Sequence, residues 1–291
     1  DCGCDPLVAI QMATINTASH FGMERELGSI TPGRRADFIV TSSLRELPIE
    51  SVFARGQCIA EHGKLLTDCP HYPWPSTARE TVKLGKKLKA NDFTISAPEG
   101  VSSVKAKVIG VIENQAPTKS LEFDLPVEEG NVQITEGVAY LSLVERHRGT
   151  GTVTNGFVSG FGYTGSMAIA SSVAHDSHHM IVVGTDRKLM AAAANRLGEI
   201  GGGVTVWKDG TERALVELPI AGLMSDSQAA EVANKAQAII SAMIDCGCSL
   251  NNAYMQHTLL ALVVIPELRI SDLGLVDVTR FELTDVVSLK P

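Results

Sequence analysis

The sequence has 291 residues, enough for about two domains at roughly 150 residues each. With 44% apolar and 20% charged residues it reads as a globular chain able to bury a sizeable core, and no run of 18 apolar residues marks a membrane helix. Lys and Arg total 25 against 33 Asp and Glu, a net charge of −8, which argues against a protein that tracks nucleic-acid phosphates. The opening Asp-Cys-Gly-Cys-Asp-Pro has neither a basic nor an apolar region of a signal peptide, and it lacks an initiator Met, as a piece of a longer chain would. The cysteines fall at 2, 4, 58, 69, 246 and 248, without the C-x₂-C spacing of zinc ribbons. They read as reduced thiols of a cytoplasmic protein, Cys58 and Cys69 as packing residues.

Residues 5–20 predict one amphipathic helix, with Asp5 as cap, Pro6 in the first turn and Leu7, Ile10, Gln11, Thr14 and Ile15 along one face. Gly22 stops it. A turn-rich stretch from Gly28 to Asp37 leads into a strand at Phe38–Thr41, and Ser51–Ala54 with Cys58–Glu61 predict a hairpin turning at Arg55-Gly56-Gln57. Residues 69–76 hold three prolines and predict an extended linker between domains. Beyond it the pattern is rich in strands: Val104–Ile112, Lys119–Leu125, Val138–Val144, Thr152–Ser159, Met167–Val173 and Met180–Val183. Thr185 or Asp186 caps a helix over Lys188–Ile200, which Gly201-Gly202-Gly203 ends. Val204–Trp207 and Ala214–Leu218 predict a hairpin around Lys208-Asp209-Gly210. Ser225 or Asp226 caps a long helix to about Ile244. The tail alternates apolar helix, turn and a last strand near Phe281–Val287.

The densest polar cluster is Ser171-Ser-Val-Ala-His175-Asp176-Ser177-His178-His179, between two apolar strands. Three His and one Asp within five residues offer metal ligands or a His oriented by a carboxylate. An extended segment would put His175, Ser177 and His179 on one face and Asp176 and His178 on the other; a turn would break that pattern, so spacing does not fix a ligand set. A polar loop that caps neighbouring backbone is the competing reading. Gly160–Gly165 lacks the Lys-Ser/Thr and following helix of a phosphate loop and reads as a turn. Glu145-Arg146-His147-Arg148 is a charged strand end that reads as a solvated rim, with a ligand clamp as the alternative. His257, in an apolar stretch, reads as a hydrogen-bonded core histidine. The H-x-E…P-C-x-x-C signature of cytidine-type deaminases is absent.

Two further patterns carry a resemblance. Pro6–Thr14, Leu27–Gly33 and Ala36–Val40 resemble the end of an amidohydrolase-superfamily chain. Gly156–Gly162, Ile169–His178, Ile181–Thr185, Asn195–Leu197, Glu199–Gly203, Leu218–Ser225 and the tail Leu262–Glu267 with Gly274–Asp277 resemble the C-terminal domain of the adenine deaminase family. His179 departs from that pattern, which has an amide there.

The resemblance implies an α+β fold: residues 1–22 as the closing helix of a metal-dependent (β/α)₈ barrel, 23–76 as part of a small β-sandwich with its linker, and 77–291 as a mixed C-terminal domain. It implies hydrolysis of adenine to hypoxanthine and ammonia by a metal-activated water, with manganese or iron as the divalent metal. The family's principal ligands, a His-x-His, a Glu, two further His and an Asp on barrel strands, have no counterpart in this chain. The expected partners are adenine, the upstream barrel portion and further copies of the enzyme, with no nucleic acid and no membrane. On this reading His175, Asp176 and His178 are candidate catalytic residues, and His175, His178 and His179 candidate metal ligands. A non-catalytic assembly or lid domain, or part of another cyclic amidohydrolase or deacetylase, are the alternatives.

Overall fold

In the computed structural model, which describes residues 3–68 and 72–289, Asp5 and Pro6 start the first helix as the sequence predicts. The Asp5 carboxylate accepts from the N–H groups of Leu7 (2.8 Å) and Val8 (3.4 Å), two of the donors a helix start leaves without partners. The helix runs as α1 (Pro6–Gln11), one wide π turn (Met12–Asn16) and α2 (Thr17–His20). The Thr14 and Thr17 hydroxyls donate to the carbonyls of Ile10 and Met12, each at 2.6 Å, and so serve acceptors within the widened turn. Ala18 is buried, whereas Leu7, Val8 and Met12 are exposed.

Four antiparallel strands follow: β1 (Phe38–Thr41), β2 (Ile49–Ala54), β3 (Gln57–Glu61) and β4 (Lys64–Leu65), in that spatial order. The β2–β3 turn is tighter than predicted. Ala54 pairs with Gln57, leaving Arg55 and Gly56 as a two-residue loop with φ of +51° and +78°, the pattern that matches strand twist. The chain divides into two compact units, Asp1–Pro73 and Trp74–Pro291. Residues 72–75 carry no regular structure. Residues 69–71 of the expected linker, and with them Cys69, lie outside the described residues, as does Cys2. The other four cysteines are free thiols.

The second unit opens with α3 (Ser76–Arg79) and a 3₁₀ turn (Ala90–Phe93) and is built on one large sheet. Its strands are β5 (Ser103–Val111), β6 (Thr118–Glu128), β7 (Asn131–Val132), β8 (Val138–Val144), β9 (Val153–Ser159), β10 (Met167–Ser171), β11 (Met180–Gly184), β12 (Gly203–Lys208) and β13 (Thr211–Glu217). They lie in the order β13-β12-β10-β11-β8-β9-β5-β6-β7, antiparallel except for the β5–β9 pair. Strands β8, β10 and β11 are buried along their whole length, which is why their sequences are dominated by apolar residues, with only the small Ser142 and Ser171 as polar side chains besides the Tyr140 hydroxyl. Helix α4 (Arg187–Ile200) covers one face through Met190, Ala194 and Leu197. It starts at Asp186, whose side chain accepts from Lys188 and Leu189, and stops at Gly201, left-handed with φ +81°. Helices α5 (Ala229–Asp245) and α6 (Ala253–Leu259) lie over the other face, against Leu141, Leu143, Ile169 and Ile181. They share it with a small antiparallel sheet of β14 (Leu268–Ser271), β15 (Gly274–Asp277) and β16 (Glu282–Thr284), while β17 (Val287–Ser288) returns to pair with β5. Each fully buried Leu, Ile or Val here contributes about 1.5–3 kcal/mol. The chain is thus a mixed α+β structure with several sheets and few helices. None of the described helices is long and apolar enough to cross a membrane.

Several expectations are corrected. Neither Ser225 nor Asp226 caps α5, which begins at Ala229 without a side-chain cap; Asp226 instead pairs with Arg79 at 2.5 Å. The β12–β13 turn shortens to Asp209-Gly210, because Lys208 pairs with Thr211. The tail forms a sheet of its own where one strand was expected. His257 is in the core as expected, and burial, partly offset by a backbone hydrogen bond with Ile181, pushes its pKa down to about 3. Glu145 and Arg146 are no solvated rim: both are buried, since β8 lies between β11 and β9 rather than at an edge.

Candidate functional site

Strand β10 ends at Ser171 and β11 begins at Met180, so residues 172–179 connect two strands fixed inside the sheet. The connection closes on itself. The His178 N–H donates to the Ala174 carbonyl (2.7 Å), and the Ala174 N–H donates back to His178 Nδ1 (3.2 Å). The His175 N–H donates to the Thr258 carbonyl (3.1 Å), which ties the turn to α6. The His175 and His178 rings meet edge to face with centroids 5.3 Å apart, both half-buried, while Asp176 and Ser177 are exposed at the tip. His179 is buried on the opposite side of the chain. Its ring lies 4.7 Å from that of His147, its Nε2 is 3.7 Å from Asp272 Oδ2, and its Nδ1 has no hydrogen-bond partner among the described residues.

Two residues at the end of β8 hold this region. Glu145 Oε1 accepts from the N–H groups of His147 (2.5 Å) and Arg148 (2.7 Å), and its Oε2 from the Thr150 N–H (3.0 Å) and hydroxyl (3.1 Å). Burial opposes the charge, but these donors outweigh it and hold the carboxyl at about 2. The loop so formed presents His147, whose Nε2–H donates to the Ser177 carbonyl (2.8 Å). Arg146 points into the interior. Its Nε donates to the His178 carbonyl (2.5 Å), and its terminal nitrogens reach the carbonyls of Ala221 (3.2 Å), Ser172 (3.5 Å) and Thr81 (3.5 Å). Burial lowers its pKa to about 10, so the guanidinium stays charged at neutral pH. Sequence reasoning singled out both residues but favoured a solvated rim for them. The available signal was an arginine continuing a strand whose every residue is apolar or small.

The electrostatics favour neutral imidazoles. Burial, then His175 and Arg146, push the His178 pKa below its ordinary value; burial, then His147, do the same to His179. Because His178 Nδ1 accepts a backbone N–H, its proton sits on Nε2. A metal on Nε2 would require a protonated Nδ1 facing the Ala174 N–H, donor against donor. No group of three or more His, Cys, Asp or Glu converges as for a metal ion among the described residues. The turn therefore does not fit a metal by itself. Beside it, a largely apolar groove of about 1080 Å³ is lined by Val173, Leu218, Ile239, Met243 and Tyr254, and the Tyr254 hydroxyl is 3.2 Å from Ser171 Oγ.

Residues 115–282, more than half of the chain, match the model of the adenine deaminase C-terminal domain. The chain belongs to that family. Residues 1–91 match the amidohydrolase family, which implies a divalent metal in general terms. The sequence is 71% identical over 287 residues to an adenine deaminase of Roseobacter denitrificans, covering 99% of this chain and 48% of the relative. It is 71% identical over 289 residues to an adenine deaminase of Ruegeria pomeroyi (98% and 48%), and 69% identical over 287 residues to one of Paracoccus denitrificans (99% and 48%). The chain spans about half the length of the curated relatives it matches.

Proposed function

We propose that this chain is the C-terminal portion of a cytoplasmic, homo-oligomeric enzyme that hydrolyses adenine to hypoxanthine and ammonia. The observation that carries this is the likeness to adenine deaminases along nearly the whole chain. Within it, residues 1–22 act as the closing helix of the barrel, 23–76 as a sandwich portion and linker, and 77–291 as the C-terminal domain. The metal, manganese or iron, is held by the half that the relatives have in addition. In the reaction the oxygen of water bonds to C6 of the purine, the bond from C6 to the exocyclic nitrogen breaks, and ammonia leaves. His178, neutral with Nε2–H, donates a hydrogen bond to a purine ring nitrogen, and Asp176 accepts from the exocyclic amine.

A lid or assembly role without contact to adenine is the second reading, favoured by the exposed Leu7, Val8 and Met12 on the first helix. His178→Ala and Asp176→Asn in the complete enzyme separate the two. Groups that touch the reacting substrate lose about 10²–10⁴ in kcat/KM for adenine with little change in the denaturant midpoint. Near-normal turnover in both variants, or unfolding of both, would overturn the site assignment.

A further inference from the structure

We propose that Arg146 is a positioning residue: its buried guanidinium, at the end of β8, grips the His175–His178 turn by the carbonyls of Ser172 and His178 and ties it to the Ala221–Gly222 turn. The proposal rests on the reading that His178 meets the substrate.

Arginine suits the task and lysine does not. The four acceptors belong to separate stretches around Thr81, Ser172, His178 and Ala221, and they surround one planar group. A guanidinium spreads five donors over a rigid fork, whereas an ammonium concentrates three on one nitrogen. The surroundings are shaped to this fork. A Cβ on Gly222 would lie 2.8 Å from Arg146 Nη1, and Gly222 itself holds φ +70°. Glu145 is no alternative partner, because its oxygens are taken up by the 147–150 loop. Ser172 Oγ reinforces the assembly, accepting from the Gly203 N–H (2.7 Å) and donating to the Gly222 carbonyl (2.6 Å). The chain from Ser172 to His178 is thus held at both ends by one side chain, and its own internal hydrogen bonds fix the ring between. Where His178 Nε2–H points follows from where Arg146 sits.

The test is a double-mutant cycle in the complete enzyme with Arg146→Lys, His178→Ala and the pair. Displacing a catalytic group by about 1 Å costs about 100-fold in rate. Arg146→Lys should lose kcat on that scale with KM nearly unchanged. The pair should be no slower than His178→Ala alone, since Arg146 acts through that ring. Normal kcat in Arg146→Lys, or losses that multiply in the pair, would overturn the proposal. Gly222→Ala, which crowds the guanidinium without removing it, should reproduce the loss and serves if Arg146→Lys does not fold; full activity there also counts against the proposal. If His178→Ala alone keeps normal turnover, the substrate contact is wrong. Hydrogen exchange of residues 174–179 then decides the positioning role by itself: faster exchange in Arg146→Lys supports it, unchanged exchange refutes it.

Discussion

Glu145→Gln is the substitution whose effect can be worked out most fully. The side chain is 7% exposed, so water screens little of its interaction with the loop. Its pKa falls from an ordinary 4.5 to about 2, where burial is outweighed by three backbone N–H groups and the Thr150 hydroxyl. At about 1.4 kcal/mol per tenfold change in proton affinity, the ionised form contributes about 3 kcal/mol. Glutamine keeps one acceptor oxygen but turns an NH₂ toward the Thr150 N–H, leaving a buried donor unsatisfied at about 1–3 kcal/mol. The expected loss at pH 7 is about 2–3 kcal/mol. The sign with pH follows from a folded pKa below the unfolded one. The contribution is complete above about pH 5 and is lost as pH falls toward 2, with about three-fifths of it gone by pH 3. Urea unfolding of both proteins at pH 7 and pH 3 reads the difference directly. Equal midpoints at pH 7, or a gap that persists undiminished at pH 3, would refute the account of this carboxylate.

Three other outcomes are expected. The chain alone should release no ammonia from adenine with added Mn²⁺ or Fe²⁺, since no described group of side chains converges on a metal and the chain spans half of its relatives; turnover that follows the purified chain through chromatography would contradict this. Asp186→Ala should cost about 1 kcal/mol by removing the cap of α4, measurable as a fall of about 2–4 °C in melting temperature. His257 is neutral when folded and protonates readily when unfolded, so stability should fall by about 2 kcal/mol between pH 7.5 and pH 5. His257→Leu should remove most of that acid sensitivity in calorimetry.

Most of the strands and both long helices are legible because they rest on local rules. Strand β8 is bounded as Val138–Val144 by its own apolar run, and α4 is bracketed by a capping Asp and a glycine. The errors come from tertiary position, which local pattern does not carry. Asp226 has the composition of a cap but finds Arg79, 147 residues away. The Glu145–Arg148 stretch has the composition of a solvated rim, yet its first two residues are buried, because β8 is an interior strand. That position depends on pairing with β11 and β9. The histidine cluster was visible as a concentration of ionisable groups. Its division was not: His175 and His178 face one another across a turn, while His179 turns away toward His147 and Asp272.

The neighbouring Glu145 and Arg146 explain how an interior strand governs two loops at once. Successive residues of a strand point to opposite sides. Past Val144 the chain keeps enough of that alternation for the carboxylate to gather the 147–150 loop and the guanidinium to gather the 172–179 turn. Both groups are charged, so their hydrogen bonds are stronger than neutral ones, and both are buried, so rearranging either would leave a charge without partners. The two loops then meet through the His147 imidazole and the Ser177 carbonyl. The position of the histidine turn is thereby referred back to β8, one of the strands held on both sides within the sheet. On the proposed reading, in which His178 presents its N–H to adenine, that reference supplies the rigidity that loop backbone alone lacks.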